Sequence, residues 1–476
     1  MGQVFQVGEQ KIRPGVFVRV TNIGEPREAI VPQGTVAVLF RASWGALATP
    51  ITLESAEALG ETFGYAGTTD AITEAFRGGC RRVIAYRVGT GGTAATHVLR
   101  DTTVSPMNVV NIAARNVGVR GNDLRLTIRD SLADTGQREL LVHEGASLVQ
   151  TISFTKGAGE PQALVTAINA SGSLFIAATL MVAGNGILAA VAQQPMTGGV
   201  DPVVTGASYS AGLLAVEPID WNVLAIDATD APTHALVQAY IGRVRAEGKR
   251  VMAVIGEPIS VLLATRMANA RSFNDPAIVY VANGLIGTDG ATRDGYRAAA
   301  RVAGMIAGAQ TTDSLTHAIV RNAANIAGAL TNAEIEQSIL AGALVFTFSA
   351  QRQPQVEYGI NTFISATATM DIGWSKIRRV RTRDNLMTRI SATWDTLIGK
   401  INNSPDGRAT LISSAQGIIN RMVAEGALLQ GIIYEDANNP PVGDSAWFVV
   451  QVDDLDSVEK VYINFAFRFA PPAQTN

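Results

Sequence analysis

Two parts of the sequence alternate short apolar runs with amphipathic stretches, one before residue 90 and one after residue 200. Continuous short apolar runs are typical of strands buried on both faces, and apolar positions spaced three and four apart are typical of helices. The pattern therefore predicts an α/β sheet covered by helices. The predicted strands are residues 35–41, 82–88, 223–226, 251–255 and 278–282, and the predicted helices are residues 53–63, 69–77, 209–216 and 233–247.

A different pattern fills the region between these two parts. After a glycine-rich break at residues 89–93 (GTGGT), short strand-like runs recur and are separated by turn residues. Regularly spaced short strands predict a β-sandwich, inserted into the α/β region and ending near Gly198 and Gly199. The runs cover residues 109–114, 124–129, 139–142 and 149–154.

The last hundred residues combine helices and strands. Helices are predicted at residues 384–398 and 409–425, and a strand at residues 447–452. Both ends of the chain carry the alternation of a strand. Near the start the alternating residues are Val16, Phe17, Val18, Arg19 and Val20, and near the end the apolar face consists of Val461, Ile463, Phe465, Phe467 and Phe469.

These patterns define a multidomain protein of mixed α/β and α+β class. The predicted segments are an N-terminal arm (1–20), a first α/β part (21–91), a β-sandwich insertion (92–199), an α/β core (200–370) and an α+β C-terminal domain with a terminal arm strand (371–476).

Composition and charge exclude several classes of function. The net charge of −3 gives no global basic field for nucleic acid or anionic membranes, and the most apolar stretch, residues 180–192, is too short to cross a bilayer. The single cysteine, Cys80, cannot form an intrachain disulfide, which is typical of a protein folded in a reducing cytoplasm. The start of the chain has no apolar core and does not predict a signal peptide.

The sequence offers little catalytic chemistry. It lacks a Walker A loop, a zincin motif and a nucleophile elbow. Asp227, His234 and either Ser272 or Ser314 can be drawn as a triad, but with so many serines and aspartates the pattern favours His234 at the start of a surface helix, and His317 in another helix. The expectation is that the protein is not an enzyme and has no cofactor.

Two clusters of carboxylates could belong either to a functional site or to solvated loops. Asp227 and Asp230 follow a predicted strand, where α/β enzymes place their sites, and Asp453, Asp454 and Asp456 precede the terminal strand. We interpret both as solvated loops, and a calcium site at the second cluster is left open.

One basic run stands out near residue 380. It could grip a phosphate backbone, but it has a single aromatic neighbour, Trp374, and no RNA-binding motif. The pattern favours an ion-paired surface for assembly with other proteins or facing an inner tube. The run consists of Lys376, Arg378, Arg379, Arg381 and Arg383.

A series of short motifs, in order along nearly the whole chain, resembles the phage tail sheath proteins. One of these motifs is residues 359–362 (GINT), and another is Asp220, Trp221 and Asn222. The other matching segments are residues 11–18 (KIRPGVFV), 51–64, 118–126, 198–222, 299–308 with 314–316, 381–384, 399–402 with Arg408, and 456–462 (DSVEKVY).

The resemblance implies a contractile tail sheath subunit of a virion tail, assembled in the host cytoplasm. It implies a subtilisin-like core lacking catalytic residues, a C-terminal domain facing the tube, and a helical stack of hexameric rings. The implied partners are other copies of the chain, the tail tube protein, and baseplate and tail terminator proteins, with neither nucleic acid nor membrane bound directly. The alternatives are the sheath of a headless tail-like bacteriocin and a subtilisin-fold hydrolase.

The resemblance also implies that both chain ends add strands to neighbouring subunits. Strand addition gains main-chain hydrogen bonds, and alternate side chains set the register. The residues assigned to this role are Val16, Phe17, Val18 and Val20 in the N-terminal arm and Val461, Ile463, Phe465, Phe467 and Phe469 at the C-terminus. In the alternative, both strands complete sheets of their own subunit.

Overall fold

The computed structural model describes residues 34–467. The predicted pairing residues Val16, Phe17, Val18, Val20 and Phe469 lie outside the described residues. Within this range the chain forms two compact units, one of residues 34–384 and 456–467 and the other of residues 385–455. In the described part of the chain, none of the helices is both long enough and apolar enough to cross a membrane.

The first α/β part of the larger unit covers residues 34–87. Its elements are β1 (Thr35–Phe40), β2 (Pro50–Leu53), α1 (Ala58–Thr62), α2 (Asp70–Gly78) and β3 (Arg82–Arg87).

The inserted region follows. Its elements are β4 (Thr96–Arg100), β5 (Asn108–Ala114), the 3-10 helix Val119–Asp123, β6 (Leu124–Asp130), β7 (Gln137–Glu144), β8 (Ser147–Thr155), α3 (Glu160–Ala170), β9 (Ile176–Leu180) and β10 (Val191–Pro195).

The α/β pattern then resumes. The elements are α4 (Gly206–Val216), β11 (Val223–Ile226), α5 (Ala231–Ala246), β12 (Met252–Gly256), α6 (Leu263–Phe273), β13 (Ile278–Val281), β14 (Gly284–Gly287), β15 (Thr292–Arg293), α7 (Tyr296–Gly308), β16 (Ala323–Ala327), α8 (Asn332–Leu340), β17 (Ala343–Leu344), β18 (Phe346–Phe348) and β19 (Pro354–Val356). The 3-10 helix Ile372–Ser375 precedes α9 (Ile377–Asp395), within which the boundary between the two units falls.

The larger unit is built on a seven-stranded sheet within the described residues, in the order β17-β13-β12-β11-β1-β3-β2. The edge strand β2 is antiparallel to β3, and the other neighbouring pairs are parallel. Val36, Val38 and Phe40 of β1 pack against the side covered by α2 and α7, while Ala37 and Leu39 face α4 and α5. A sheet covered on both faces explains why its strands are continuous apolar runs, as the sequence predicted.

Strands β4 to β10 form two sheets that share one hydrophobic cluster. The four-stranded sheet has the order β10-β6-β7-β8 and the three-stranded sheet β4-β5-β9. Leu126 and Val142 of the first sheet and Ile112 of the second lie in the same cluster, together with Leu164 of α3. Helix α3 packs on β8 and β9, in a stretch for which no element was predicted.

The smaller unit pairs two helical segments with a hairpin. It contains the C-terminal part of α9, then α10 (Pro405–Ala424), β20 (Leu428–Glu435) and β21 (Phe448–Asp454). β20 and β21 are antiparallel, and α10 packs on β20. Its apolar cluster includes Leu386, Ile390, Ile419 and Ile433.

Two predicted helices have different bounds in the structure. The predicted helix 53–63 is wrong at its start, because residues 50–53 form β2 and Leu53 pairs with Val83, leaving only Ala58–Thr62 helical. The predicted helix 384–398 begins at Ile377 instead. Ile377 and Val380 are buried at helical spacing among the basic residues, and this burial extends the helix.

Candidate assembly surfaces

The chain that follows β21 is fixed at its root and exposed beyond it. Residues 455–467 are assigned neither helix nor strand in the structure, so the predicted terminal strand is unpaired over its described part, 461–467. Val461, Ile463, Phe465 and Phe467 are between 68% and 85% exposed. The rings of Phe465 and Phe467 lie 6.3 Å apart at an interplanar angle of 16°, so alternate side chains share one side of the segment.

The root of this segment is held by a cluster that we call the arm anchor: Ser314, Thr316, Lys376, Asp456 and Glu459. One carboxylate oxygen of Glu459 accepts hydrogen bonds from the hydroxyls of Ser314 and Thr316, both at 2.8 Å. Its other oxygen lies 2.6 Å from Lys376 Nζ, which also donates to Asp456 at 2.6 Å. Charge-assisted hydrogen bonds of this length are the stronger kind.

Loops that are far apart in sequence build the anchor. The amide of Gly359 donates to Thr316 Oγ1 at 3.0 Å, and the amide of Ile377 donates to the carbonyl of Gly359 at 3.0 Å. Because Ile377 belongs to the core cluster, the position of Lys376 beside it is fixed by packing. The anchor is therefore attached to the sheet-bearing core.

The electrostatics of the anchor favour its charged form. Burial would raise the pKa of Glu459, but the bonds from Lys376, Thr316 and Ser314 outweigh it and hold that pKa below its usual value. Burial would lower the pKa of Lys376, but Asp456 and Glu459 raise it. Since the pKa of Glu459 is depressed by folding, its stabilising contribution is present at neutral pH and is lost only as pH falls through the lowered pKa.

The predicted basic run has partners inside the chain. Besides Lys376, Arg381 donates to the carbonyls of residues 309–310 at the end of α7, and the Arg383 guanidinium lies 4.3 Å from the centre of the Trp374 ring. Arg381 and Arg383, which the sequence assigned to an assembly surface, therefore have contacts within the chain. A role of the basic run in binding another protein stays a prediction. None of the run's side chains is classed as exposed: Lys376, Arg378, Arg379, Arg381 and Arg383 are buried or half-buried.

A second candidate surface is the β20–β21 hairpin. Within residues 34–467 each of its strands has only the other as a strand partner. The side chain of Gln416 covers part of the outer edge of β20, because it donates to the carbonyl of Gly431 and accepts from the amide of Ile433. The outer edge of β21 has no strand beside it in this range. Large apolar side chains are exposed on it, including Leu429, Ile432 and Tyr434 on β20 and Val450 on β21. Exposed apolar surface beside a free strand edge is typical of a site for strand addition.

Of the two carboxylates after β11, Asp230 is exposed, as the sequence predicted, but Asp227 does not lie in a solvated loop. Asp227 is fully buried and accepts hydrogen bonds from the amide and Nε of Arg41, at 2.8 and 2.9 Å, and from the hydroxyls of Thr68 and Tyr209. Asp230 caps α5 through the amide of Thr233. Both carboxylates therefore have structural roles.

The histidine predictions were partly wrong: His234 lies near the start of a helix, α5, as predicted, but not on the surface. His234 is buried, and its Nε2 lies 3.0 Å from the carbonyl of Ala228. Burial lowers its pKa, so the ring is neutral and donates there. His317 lies in a turn with φ of 57°, outside the helices. Ser272 donates to the carbonyl of Asn269 and Ser314 to Glu459, so the imagined triad is not assembled.

The second carboxylate cluster is also divided. Asp453 and Asp454 belong to β21, whereas Asp456 binds Lys376. Over residues 34–467 no group of histidine, cysteine, aspartate or glutamate is arranged to hold a metal ion. Sequence reasoning missed the arm anchor, although its parts lie in motifs at 314–316, 359–362 and 456–462 that it had singled out separately.

Comparison with known proteins agrees with the resemblance drawn from the sequence. The family model for the phage tail sheath protein central domain matches residues 203–362. The XkdK protein of the phage-like element PBSX in Bacillus subtilis (strain 168) is 23% identical, over 97% of this chain and 99% of its own.

Solved structures share the fold. The sheath tail protein of Desulfitobacterium hafniense is 24% identical with a TM-score of 0.71, covering 93% of this chain and all of that one. The helical sheath of the anti-feeding prophage, solved in its contracted state, is 10% identical with a TM-score of 0.52, covering 96% of this chain and 99% of that one. Residues 203–362 therefore match the central domain of phage tail sheath proteins, and the chain shares the fold of the solved sheath proteins.

Proposed function

We propose that the chain polymerises as a helical sleeve around a tail tube and contracts to drive that tube through the envelope of a target cell. The observation that carries the proposal is the exposed apolar face of residues 461–467, which the described part of the chain, residues 34–467, leaves uncovered. Apolar side chains at alternate positions of an extended segment fit the edge of a sheet. The protein then acts as a structural subunit and not as an enzyme.

The acceptor for this segment is the β20–β21 hairpin of a neighbouring copy. A two-stranded sheet is marginal alone, and strands added beyond β21 bring it to the size of a stable sheet. The N-terminal arm, with Val16, Phe17, Val18 and Val20, supplies a second strand in the same way. Such head-to-tail contacts do not close between two subunits and generate rings and helices.

Contraction is then a change of packing between nearly rigid subunits that stay joined by their arms. A few kcal/mol per subunit is a plausible difference between two packings, on the order of that seen in other switching proteins. Many coupled subunits add this difference together. The anti-feeding prophage sheath, which shares the fold, was captured in its contracted state as a helical sheath.

The finer assignments extend the same proposal. The assembly is a stack of hexameric rings that forms in the host cytoplasm, with the C-terminal domain facing the tube and with baseplate and terminator proteins at the ends. The core of residues 200–370 is a subtilisin-like scaffold without catalytic residues. The insertion of residues 92–199 is a separate β-sandwich. A hydrolase is not favoured, because His234 and Ser314 are each engaged by partners that leave no triad.

The test is negative-stain electron microscopy of the purified chain, alone and with tail tubes, for the wild type and two variants. Phe465→Asp places a charge on the apolar face of the arm and is expected to abolish sheath formation, since a buried charge without a partner is costly. Asn464→Asp changes the opposite face of the same segment and is expected to assemble normally. Long sheaths from Phe465→Asp would contradict strand donation by this arm.

A further inference from the structure

We infer that Glu459 is a positioning residue for assembly: it fixes the root of the C-terminal arm on the core, so that residues 460–467 are presented to a second copy of this chain from one fixed point. The inference rests on the proposed function, in which the arm is donated to a neighbour. It gives the motifs at 314–316, 359–362 and 456–462, which the structure brings together, one shared role in holding the arm.

The anchoring is stronger than an ordinary surface ion pair. The Glu459 side chain is 7% exposed, and it accepts from two hydroxyls of the core and from Lys376, with a further bond from Ser457 Oγ at 3.0 Å. Two residues later, Val461 is 70% exposed. The chain therefore changes from held to free over a very short distance, as the root of an arm must.

The core side of the contact is itself rigidly placed. The amide of Asn361 donates to the carbonyl of Ser375 at 2.9 Å, beside the bond between Ile377 and Gly359. These bonds join the loop that carries Lys376 to the loop that supports Thr316. Lys376 Nζ also lies 5.7 Å from the centre of the Tyr358 ring.

Fixing the root matters because the arm binds in a second step, after a subunit has docked. The effective concentration of a tethered segment at its site depends on where its tether begins and on how many directions it samples. A released root would let the arm sample positions away from the neighbour's hairpin. Assembly would slow while the fold of the subunit stayed intact.

The experiment compares wild type, Glu459→Ala, Glu459→Gln and the matched control Lys460→Gln, which alters the next side chain, an exposed one. Hydrogen exchange of the monomer is measured over the anchor segment, whose hydrogen-bonded amides are those of Thr316, Gly359 and Ser457, and assembly is followed by light scattering and electron microscopy. Glu459→Ala is expected to exchange about tenfold faster in this segment and to assemble about tenfold more slowly, with unchanged circular dichroism. Glu459→Gln keeps an acceptor for Ser314 and Thr316 and is expected to lie between.

Loss of the positioning role of Glu459 and failure of sheath formation itself would give different results in this experiment. Lys460→Gln is expected to match wild type in both measurements. Faster exchange in Glu459→Ala with assembly at the wild-type rate would overturn the positioning role, and unchanged exchange would overturn the anchor itself. Failure of the proposed function has a different signature, since wild type would then form no sheath under any condition, with or without tubes.

Discussion

At the scale of single residues, buried charge is concentrated on Glu74 of α2. The carboxylate lies 2.6 Å from Arg293 Nε, 2.7 Å from Arg77 Nη1 and 2.9 Å from Arg301 Nε. Glu74 and Arg301 side chains are each 1% exposed. Because Arg301 is buried almost completely, removal of the carboxylate would leave a cation in a place where water cannot replace the lost partner.

Glu74→Gln is therefore expected to lower the free energy of unfolding by about 3–5 kcal/mol, the usual cost of breaking a buried ion pair from one side. Glu54→Gln, at an exposed position nearby, is expected to change it by less than about 0.5 kcal/mol. The measurement is thermal and urea unfolding followed by circular dichroism. Equal stability of the two variants would show that the network around Glu74 tolerates loss of its central charge.

At the scale of elements, the crossing of α2 and α7 depends on glycine. A Cβ on Gly304 would lie 2.0 Å from the carbonyl oxygen of Ala75, and one on Gly78 would lie 2.3 Å from that of Arg301. Both contacts are with backbone, which cannot swing aside as a flexible side chain does. The two helices therefore approach each other more closely than alanine allows, and this approach lets Glu74 reach Arg301.

Gly304→Ala is expected to destabilise the fold by about 1–3 kcal/mol, because the helices must separate to admit the methyl group. Gly242→Ala in α5 is the matched control, since a Cβ there meets nothing within 4 Å. That substitution is expected to stabilise by about 0.5–1 kcal/mol through the higher helix propensity of alanine. Unfolding midpoints moving in the same direction for both variants would contradict a steric role for Gly304.

At the scale of the whole molecule, the sequence predicted the fold best where strands are buried on both faces of the sheet. The runs that became β1 after Thr35, β11 and β13 are continuously apolar because helices cover both faces of their sheet, so they could be recognised without knowledge of their neighbours. The start of α9 could not be predicted, because its buried residues Ile377 and Val380 lie between charged residues whose partners come from distant loops.

The environments of polar residues were predicted less well, because their partners are distant in the sequence. Asp227 and His234 look like surface groups in the sequence because nothing local marks them as buried. The burial of Asp227 depends on Arg41 and Tyr209, which only the folded sheet brings near, and that of His234 on the carbonyl of Ala228. The arm anchor follows this rule too: Glu459 and Ser314 are 145 positions apart, and no pattern along the chain relates them.

In the proposed function, growth of the sheath needs both arms of each subunit. If each subunit donates strands and also accepts them, a chain lacking residues 1–20, the whole N-terminal arm, still carries the β20–β21 hairpin and the C-terminal arm, and it can join a growing sheath. It cannot complete the strand addition that its own N-terminal arm would make. Since head-to-tail growth needs every subunit to serve both neighbours, such a chain should act as a terminator.

The truncated chain alone is therefore expected to form no sheath, and mixing it with wild type at about one part in ten should shorten the sheaths markedly without lowering the amount of folded protein. Sheath lengths measured by electron microscopy across a series of mixing ratios give the result, with the Phe465→Asp chain, which lacks a working C-terminal arm, as the comparison. If both arms act by strand donation, both variants shorten the sheaths. If the N-terminal arm is dispensable, mixtures with its deletion keep the wild-type length distribution, and the continuity of the sheath must then depend on the C-terminal arm and its anchor at Glu459.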